Sequence, residues 1–142
     1  MTARNQKFLI FCLSGRRFAF DLAQVAEVEE PQTTWPIPGA PACYVGAMNF
    51  HGNIVAVMDL AAFMGLPPGQ GQEKIVVLDA GIAALSFLVE RVERIVPAGQ
   101  VQFGDPIQGD DVRFAARELT LADGVLTLLD AEQVALAAAE IL

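Results

Sequence analysis

The sequence has little positive charge, a single histidine and no long hydrophobic run. Nine residues are Lys or Arg against seventeen Asp or Glu among 142, so the formal net charge is −8. No basic cluster is longer than the pair Arg16 and Arg17. Nucleic acids and anionic membrane surfaces are bound through concentrated positive charge, so we expect neither nucleic-acid binding nor direct membrane binding. No segment approaches the roughly 20 apolar residues of a membrane span, and the run FLIFCL is too short for a signal-peptide core. These absences predict a cytoplasmic protein.

The sequence also lacks the motifs that cofactors and metals require. It has no G-x-G-x-x-G or Walker-type loop for phosphates, no C-x-x-C pair, and no second histidine near His51. The cysteines Cys12 and Cys43 are expected to be small core thiols rather than a disulfide. We therefore predict no catalytic residue, no cofactor and no metal. A small ligand-binding or hydrolytic β-barrel that uses His51 with a nearby acid stays open as an alternative.

What the sequence has in abundance is apolar residues. They make up 54% of the chain, and the mean hydropathy is +0.42. The polar residues are therefore too few to cover the whole surface, and exposed apolar patches of this kind usually mark protein contacts.

Two segments of the sequence follow the same pattern. FLIFCLSGRRFAFDLAQVAEV (8–28) and IVVLDAGIAALSFLVERVERI (75–95) each contain an apolar run, a turn with glycine, a second apolar run and a valine-rich end. Both copies later end in a strand, an aspartate and a short helix, with Asp59 and Asp130 placed to cap the helix. A unit of about 70 residues is too small for a well-stabilised core of its own, so the copies are predicted to share one.

Short β-rich runs fill both copies, and glycine, proline, aspartate or asparagine separates them. The predicted strands are 7–13, 17–21, 24–29, 44–49, 53–58, 74–79, 83–89, 92–96, 112–121 and 124–129. Ten strands in two sets of five predict a mainly β fold of two small barrels, with few helices besides one at the C-terminus. The segment GLPPGQGQE (65–73) is the natural joint, which gives subdomains at about 15–70 and 71–142 with strand 7–13 at their junction.

The first copy resembles the CheW-type chemotaxis coupling proteins. That family's pattern has a glycine turn, V-x-E-V/I, and then P-x-x-P-x-x-x-x-G-x-x-N-L-R-G-x-I-x-P-V-x-D-L. The matching residues here are Pro38, Pro41, Gly46, Asn49, Gly52, Ile54, Val57, Asp59 and Leu60. In the second copy, Glu90 stands for the acid of the family's V-x-D-x-V segment. The resemblance covers about residues 6–140.

The resemblance implies two five-stranded SH3-like barrels around a common core and a non-enzymatic adaptor function. The implied partners are the regulatory domain of a CheA-type histidine kinase and the cytoplasmic tip of chemoreceptors. An adaptor of a related chemosensory system, such as twitching motility, is the alternative within the same fold. The implied partner-binding residues are Val25, Glu27, Gly46, Asn49, His51, Gly52, Ser86, Val92 and Ile95.

Two positions depart from the family pattern. His51 stands where the family usually has Arg, and Ala56 where it has proline. An Arg fork can pair bidentately with a carboxylate, whereas a histidine offers fewer donors and titrates near neutral pH. We predict that His51 still hydrogen-bonds Glu27, more weakly, so that this chain couples to a different receptor or kinase. The alternative is that His51 is a tolerated surface residue of a turn.

Overall fold

A computed structural model describes residues 5–69, 71, 73–107 and 114–142 of the chain. Within these residues it has eleven strands and two α-helices. The strands are β1 (Lys7–Leu13), β2 (Arg16–Asp21), β3 (Val25–Glu29), β4 (Tyr44–Phe50), β5 (Asn53–Asp59), β6 (Lys74–Leu78), β7 (Leu85–Val89), β8 (Arg91–Pro97), β9 (Gln102–Pro106), β10 (Ala115–Leu121) and β11 (Gly124–Leu129). The helices are α1 (Leu60–Phe63) and α2 (Ala131–Glu140), and 3₁₀ turns lie at Leu22–Gln24 and Ala98–Gln100. No helix among the described residues is long and apolar enough to cross a membrane.

The strands form two sheets with matching layouts. One sheet has five strands in the order β3-β6-β7-β5-β4, and the other has six in the order β8-β1-β2-β11-β10-β9. In each sheet the last strand of a copy, β5 or β11, pairs parallel with the second strand of the other copy, β7 or β2. The other neighbours pair antiparallel.

The two copies of the repeat exchange their first hairpins. The hairpin β1–β2 of the first copy lies in the six-stranded sheet between strands of the second copy, and β6–β7 lies in the five-stranded sheet between strands of the first. Each sheet therefore takes strands from both sides of the predicted joint near residue 71, so neither predicted subdomain, 15–70 or 71–142, coincides with a sheet. Neither copy could complete its sheet alone, which explains why the repeat occurs as a pair.

Three apolar clusters hold the fold together. The largest lies between the sheets and includes Phe11, Phe20, Met58 and Phe87. A second cluster, around Phe8 and Leu119, belongs to the six-stranded sheet, and a third, around Met48, Val57 and Ile75, to the five-stranded one. Alternate residues of β1 enter different clusters, since Leu9 and Phe11 face the central core while Phe8 and Ile10 face the second cluster. Burial on both faces accounts for the continuous apolar run of β1.

Both aspartates cap helices as predicted. Asp59 Oδ1 accepts a hydrogen bond from the backbone N–H of Ala62 at 3.2 Å. Asp130 Oδ1 accepts from the N–H groups of Glu132 at 3.0 Å and Gln133 at 3.4 Å. Each carboxylate satisfies amides that have no partner within the first helical turn. Asp59 and Asp130 therefore have the same structural role, that of a helix cap, in the two copies.

The other predictions from the sequence are confirmed in part. The mainly β fold with few helices is confirmed, but one sheet has a sixth strand, β9, that the sequence pattern did not indicate. Residues 112 and 113 of the predicted strand 112–121 lie outside the described residues. Both cysteines are free, with Cys12 buried and Cys43 partly buried.

Candidate partner-binding surface

The turn between β4 and β5 presents His51 to solvent. Phe50 pairs with Asn53, so His51 and Gly52 form a two-residue hairpin loop. Their φ angles are 49° and 84°, as a type I′ turn requires, and glycine suits the second position because it lacks a Cβ. Asn49 Oδ1 accepts a hydrogen bond from the backbone N–H of Gly52 at 2.9 Å, which stabilises the turn. Asn49 and Gly52 therefore shape the turn that carries His51.

His51 contacts Glu27 as predicted. Its Nε2 lies 3.0 Å from a carboxylate oxygen of Glu27 on β3, and its ring packs edge-on against Phe50 with centroids 4.4 Å apart. The two side chains are 69% and 45% exposed. Because β3 and β4 are the opposite edges of the five-stranded sheet, the contact ties the two edges together at the surface.

The edge strand β3 carries two apolar side chains over the central core. Val25 pairs with Leu78 and Val28 with Val76, and both of those partners belong to the central cluster. Residues three apart on a regular strand face opposite sides, but the register shifts between Val25 and Glu27. This bulge turns both valines to the same face. Val28 remains 38% exposed at the strand edge.

The edge strand β8 repeats this arrangement in the other sheet. Val92 pairs with Phe11 and Ile95 with Leu9, again across a register shift, and both partners belong to the central cluster. Val92 packs against that cluster, while Ile95 is 50% exposed. We call Val25, Val28, Val92 and Ile95 the edge-strand surface. It consists of corresponding positions in the two copies, on the two strands that flank the same core.

Two residues of the predicted partner-binding set are not accessible. Ser86 on β7 has no exposed surface, and its Oγ donates to the carbonyl oxygen of Ala56 at 2.9 Å. Its place in the set is corrected, because β7 lies in the middle of the five-stranded sheet. Gly46 is buried as well. A Cβ there would lie 2.5 Å from the carbonyl oxygen of Trp35, so the glycine allows Trp35 to pack closely on β4.

Trp35 covers the free edge of β4 with its backbone. Its N–H donates to the carbonyl of Ala47 at 2.8 Å, and its carbonyl accepts from the N–H of Ala47 at 2.7 Å. The indole itself is 53% exposed. The proline-rich segment 29–41 thus protects a sheet edge that would otherwise be open to pairing.

Charged groups next to β8 form a network that includes Glu93. Burial raises the pKa of this carboxyl, but hydrogen bonds from Arg91 and Cys12 and the charge of Arg17 outweigh burial and lower the pKa overall. Burial, followed by the contact with Glu93, raises the pKa of the Cys12 thiol. Arg17 and Arg94 also reach Asp123 on the β10–β11 turn, each at 3.2 Å. The network holds the bulged segment of β8 against its neighbours.

Glu90, which matches the family's acid, has a structural contact. Its Oε2 accepts from the backbone N–H of Gly15 at 3.0 Å. The contact joins the β7–β8 turn of the second copy to the β1–β2 turn of the first. Val28 belongs to the edge-strand surface but is missing from the predicted partner-binding set. Its V-x-x-V spacing from Val25 is the sequence feature that could have identified it.

Known proteins resemble this chain over most of its length. The family model for the CheW-like domain matches residues 7–138. A chemotaxis protein CheW from Thermotoga maritima is 26% identical over 128 residues, which is 89% of this chain and 85% of the relative. Protein PilI from Pseudomonas aeruginosa is 31% identical over 85 residues, 58% of this chain and 47% of the relative. In fold, the crystal structure of the scaffolding protein TtCheW from Thermoanaerobacter tengcongensis is similar at a TM-score of 0.75 and 20% identity, covering 89% of both chains.

Proposed function

The chain belongs to the CheW-like domain family, and on that basis we propose that it is a non-enzymatic adaptor that couples chemoreceptors to a CheA-type histidine kinase in bacterial chemotaxis. The proposed partners are the regulatory domain of the kinase and the cytoplasmic tip of the receptors. The proposed location is the cytoplasm, where both partner regions reside.

The observation that carries the proposal is the edge-strand surface. Val28 and Ile95 are exposed by 38% and 50%, and each lies beside a valine that packs into the central core. Exposed apolar side chains anchored on a rigid core are the usual anchors for an apolar helix of a partner. We assign this surface to the receptor helix, with Val25, Val92 and Ile95 retained from the predicted set and Val28 added.

The His51–Glu27 pair joins the β4–β5 turn to β3, the edge strand that carries Val25 and Val28, and supplies the polar part of the surface. Charged groups at the rim of an apolar contact orient the partner and select it more than they strengthen binding. Asn49 and Gly52 act through the geometry of the turn. The replacement of the family's usual Arg by His51 is proposed to change which receptor or kinase is preferred.

The direct test is reconstitution with purified components from one organism. The full-length protein is mixed with a receptor cytoplasmic fragment and the CheA-type kinase, and complexes are resolved by gel filtration while kinase autophosphorylation is followed. We expect a ternary complex and receptor-dependent kinase activity only when the adaptor is present. Failure to bind either partner at micromolar concentration would overturn the proposal.

An adaptor of a related chemosensory system is the second candidate. The higher identity over the segment shared with protein PilI, 31% compared with 26% for the Thermotoga maritima chemotaxis protein, gives a reason to test it. Copurification from the native cell separates the two by the identity of the bound kinase.

The hydrolytic or ligand-binding alternative receives less support from the geometry. His51 does have an acid within hydrogen-bond reach, but the ring is 69% exposed. Acid–base catalysis gains most where water is excluded around the reacting groups. An open pair on a hairpin turn lacks that environment.

A further inference from the structure

The exposed edge of β3 gathers three metal-ligating groups that are far apart in sequence. One ligand atom from each of Glu27, Glu29 and His51 lies within 4.8 Å of the other two. Glu27 and Glu29 are alternate residues of one strand, so their side chains share a face. The β4–β5 turn adds the ring of His51, which is the chain's only histidine.

The charges of this cluster are not balanced within the described part of the chain. Glu27 has His51 as its partner, whereas no described residue pairs with the carboxylate of Glu29. The nearby cation Lys74 is engaged by Glu30 instead. Two carboxylates therefore lie beside one imidazole that pairs with only one of them, an arrangement that a divalent cation would neutralise.

We propose that Glu27, Glu29 and His51 form a binding site for a divalent transition-metal ion of the zinc type. An imidazole nitrogen with two carboxylate oxygens suits zinc, whereas magnesium and calcium prefer oxygen ligands alone. Zinc bonds of about 2.0–2.2 Å place tetrahedral ligands about 3.4 Å apart. The carboxylate of Glu27 is exposed and that of Glu29 is half-buried at the end of β3, and binding requires both to move toward the imidazole. The ion replaces the hydrogen bond between His51 and Glu27, and one coordination position remains for water.

The test is calorimetric titration of the full-length, metal-free protein with zinc chloride at neutral pH. We expect one saturable site. His51→Asn and Glu29→Gln should each weaken binding by about tenfold or more. Asparagine is the favoured residue at this position of a type I′ turn, so His51→Asn removes the ligand while the turn is kept.

Two matched variants control for other ligands. Glu30→Gln removes the adjacent carboxylate that is paired with Lys74, and Cys43→Ala removes the partly buried thiol. Both should bind zinc within about twofold of the wild type, and magnesium should not compete. Absence of saturable binding at millimolar zinc, or undiminished binding by His51→Asn, overturns the proposal. Because the readout uses the isolated protein, this outcome is independent of the adaptor function.

Discussion

The imidazole of His51 lies 3.0 Å from the carboxylate of Glu27 and joins the two edges of the five-stranded sheet. Both side chains are well exposed, and exposed pairs of this kind contribute roughly 0.2–1 kcal/mol to stability. The pair is therefore too weak to matter for folding. Its larger effect is on what the surface presents to a partner.

The first prediction concerns this pair in a double-mutant cycle. Glu27→Ala and His51→Ala should each weaken binding of the receptor or kinase fragment, and the double variant should lose little more, because the second change removes a group already without its partner. His51→Arg should keep the pair with Glu27, since the Arg fork can still bind its carboxylate, but should change the affinity for the native receptor or kinase fragment. Affinities are measured by calorimetry with purified fragments.

A matched control for the cycle is Glu118→Ala on β10, another exposed glutamate on a strand. It should leave affinity within about twofold. Unchanged binding in all of the Glu27 and His51 variants would leave His51 as a tolerated turn residue.

The repeat predicted most of the secondary structure and the duties of Asp59 and Asp130. It could not show that the first hairpins of the copies are exchanged, because strand patterns state which faces are apolar but not which strands pair. It also missed β9, whose sequence QFGDP contains a glycine and ends in a proline. Proline is compatible with an edge strand, where one side of the ladder is free.

Only part of the edge-strand surface can be predicted from the sequence, again because strand patterns do not show which strands pair. Val25, Val92 and Ile95 were placed by their motif, and the structure puts them on edge strands. Ser86 matched the pattern equally well but lies on a central strand with no exposed surface. The sequence does not indicate the bulges in β3 and β8. Without the bulges, Val28 would face away from Val25, and Ile95 would face away from Val92.

The second prediction concerns the helix caps. Asp130→Ala should lower the free energy of unfolding by about 1 kcal/mol, because two amides of α2 lose their acceptor. Asp59→Ala should lower it by a similar or smaller amount, since α1 has four residues and Asp59 accepts one bond. Urea denaturation measures both. Glu140→Ala at the other end of α2 is the control and should change stability by less than about 0.5 kcal/mol.

Partner affinity distinguishes this structural duty from a role in binding. Both cap variants should bind the kinase and receptor fragments as the wild type does when folded. A loss of affinity without a loss of stability would assign Asp59 or Asp130 to the interface instead.

The third prediction concerns Gly46. Its φ is 154°, and a Cβ at this position would lie only 2.5 Å from the carbonyl oxygen of Trp35, which leaves no room for a side chain. Gly46→Ala should therefore cost about 1–3 kcal/mol of stability, as overpacking does. Gly99→Ala is the matched control, because a Cβ there meets no atom within 4 Å. Equal urea midpoints for the two variants would contradict the close packing of Trp35 on β4.

The fourth prediction concerns pH. The pKa of Glu93 is lowered in the folded state, so its contribution to stability is present above the pKa of the unfolded chain and is lost as the pH falls through the folded value. Glu93→Gln removes this contribution. The difference in unfolding free energy between wild type and variant should be largest near pH 7 and shrink below about pH 4. A difference that stays constant over this range would show that Glu93 acts through packing alone.

The fifth prediction tests the edge-strand surface directly. Ile95→Asp places a charge at the exposed end of β8, where an apolar partner side chain would have to desolvate it, so receptor-fragment affinity should fall by about tenfold or more, as for an interface anchor. Val125→Asp on β11 is matched to it, since the two side chains are 50% and 54% exposed in the same sheet. Val125→Asp should leave affinity within about twofold. Equal losses in both variants would mean that exposed apolar area in general, rather than the edge-strand surface, attracts the partner. Unchanged affinity in both variants would place the receptor site elsewhere on the protein.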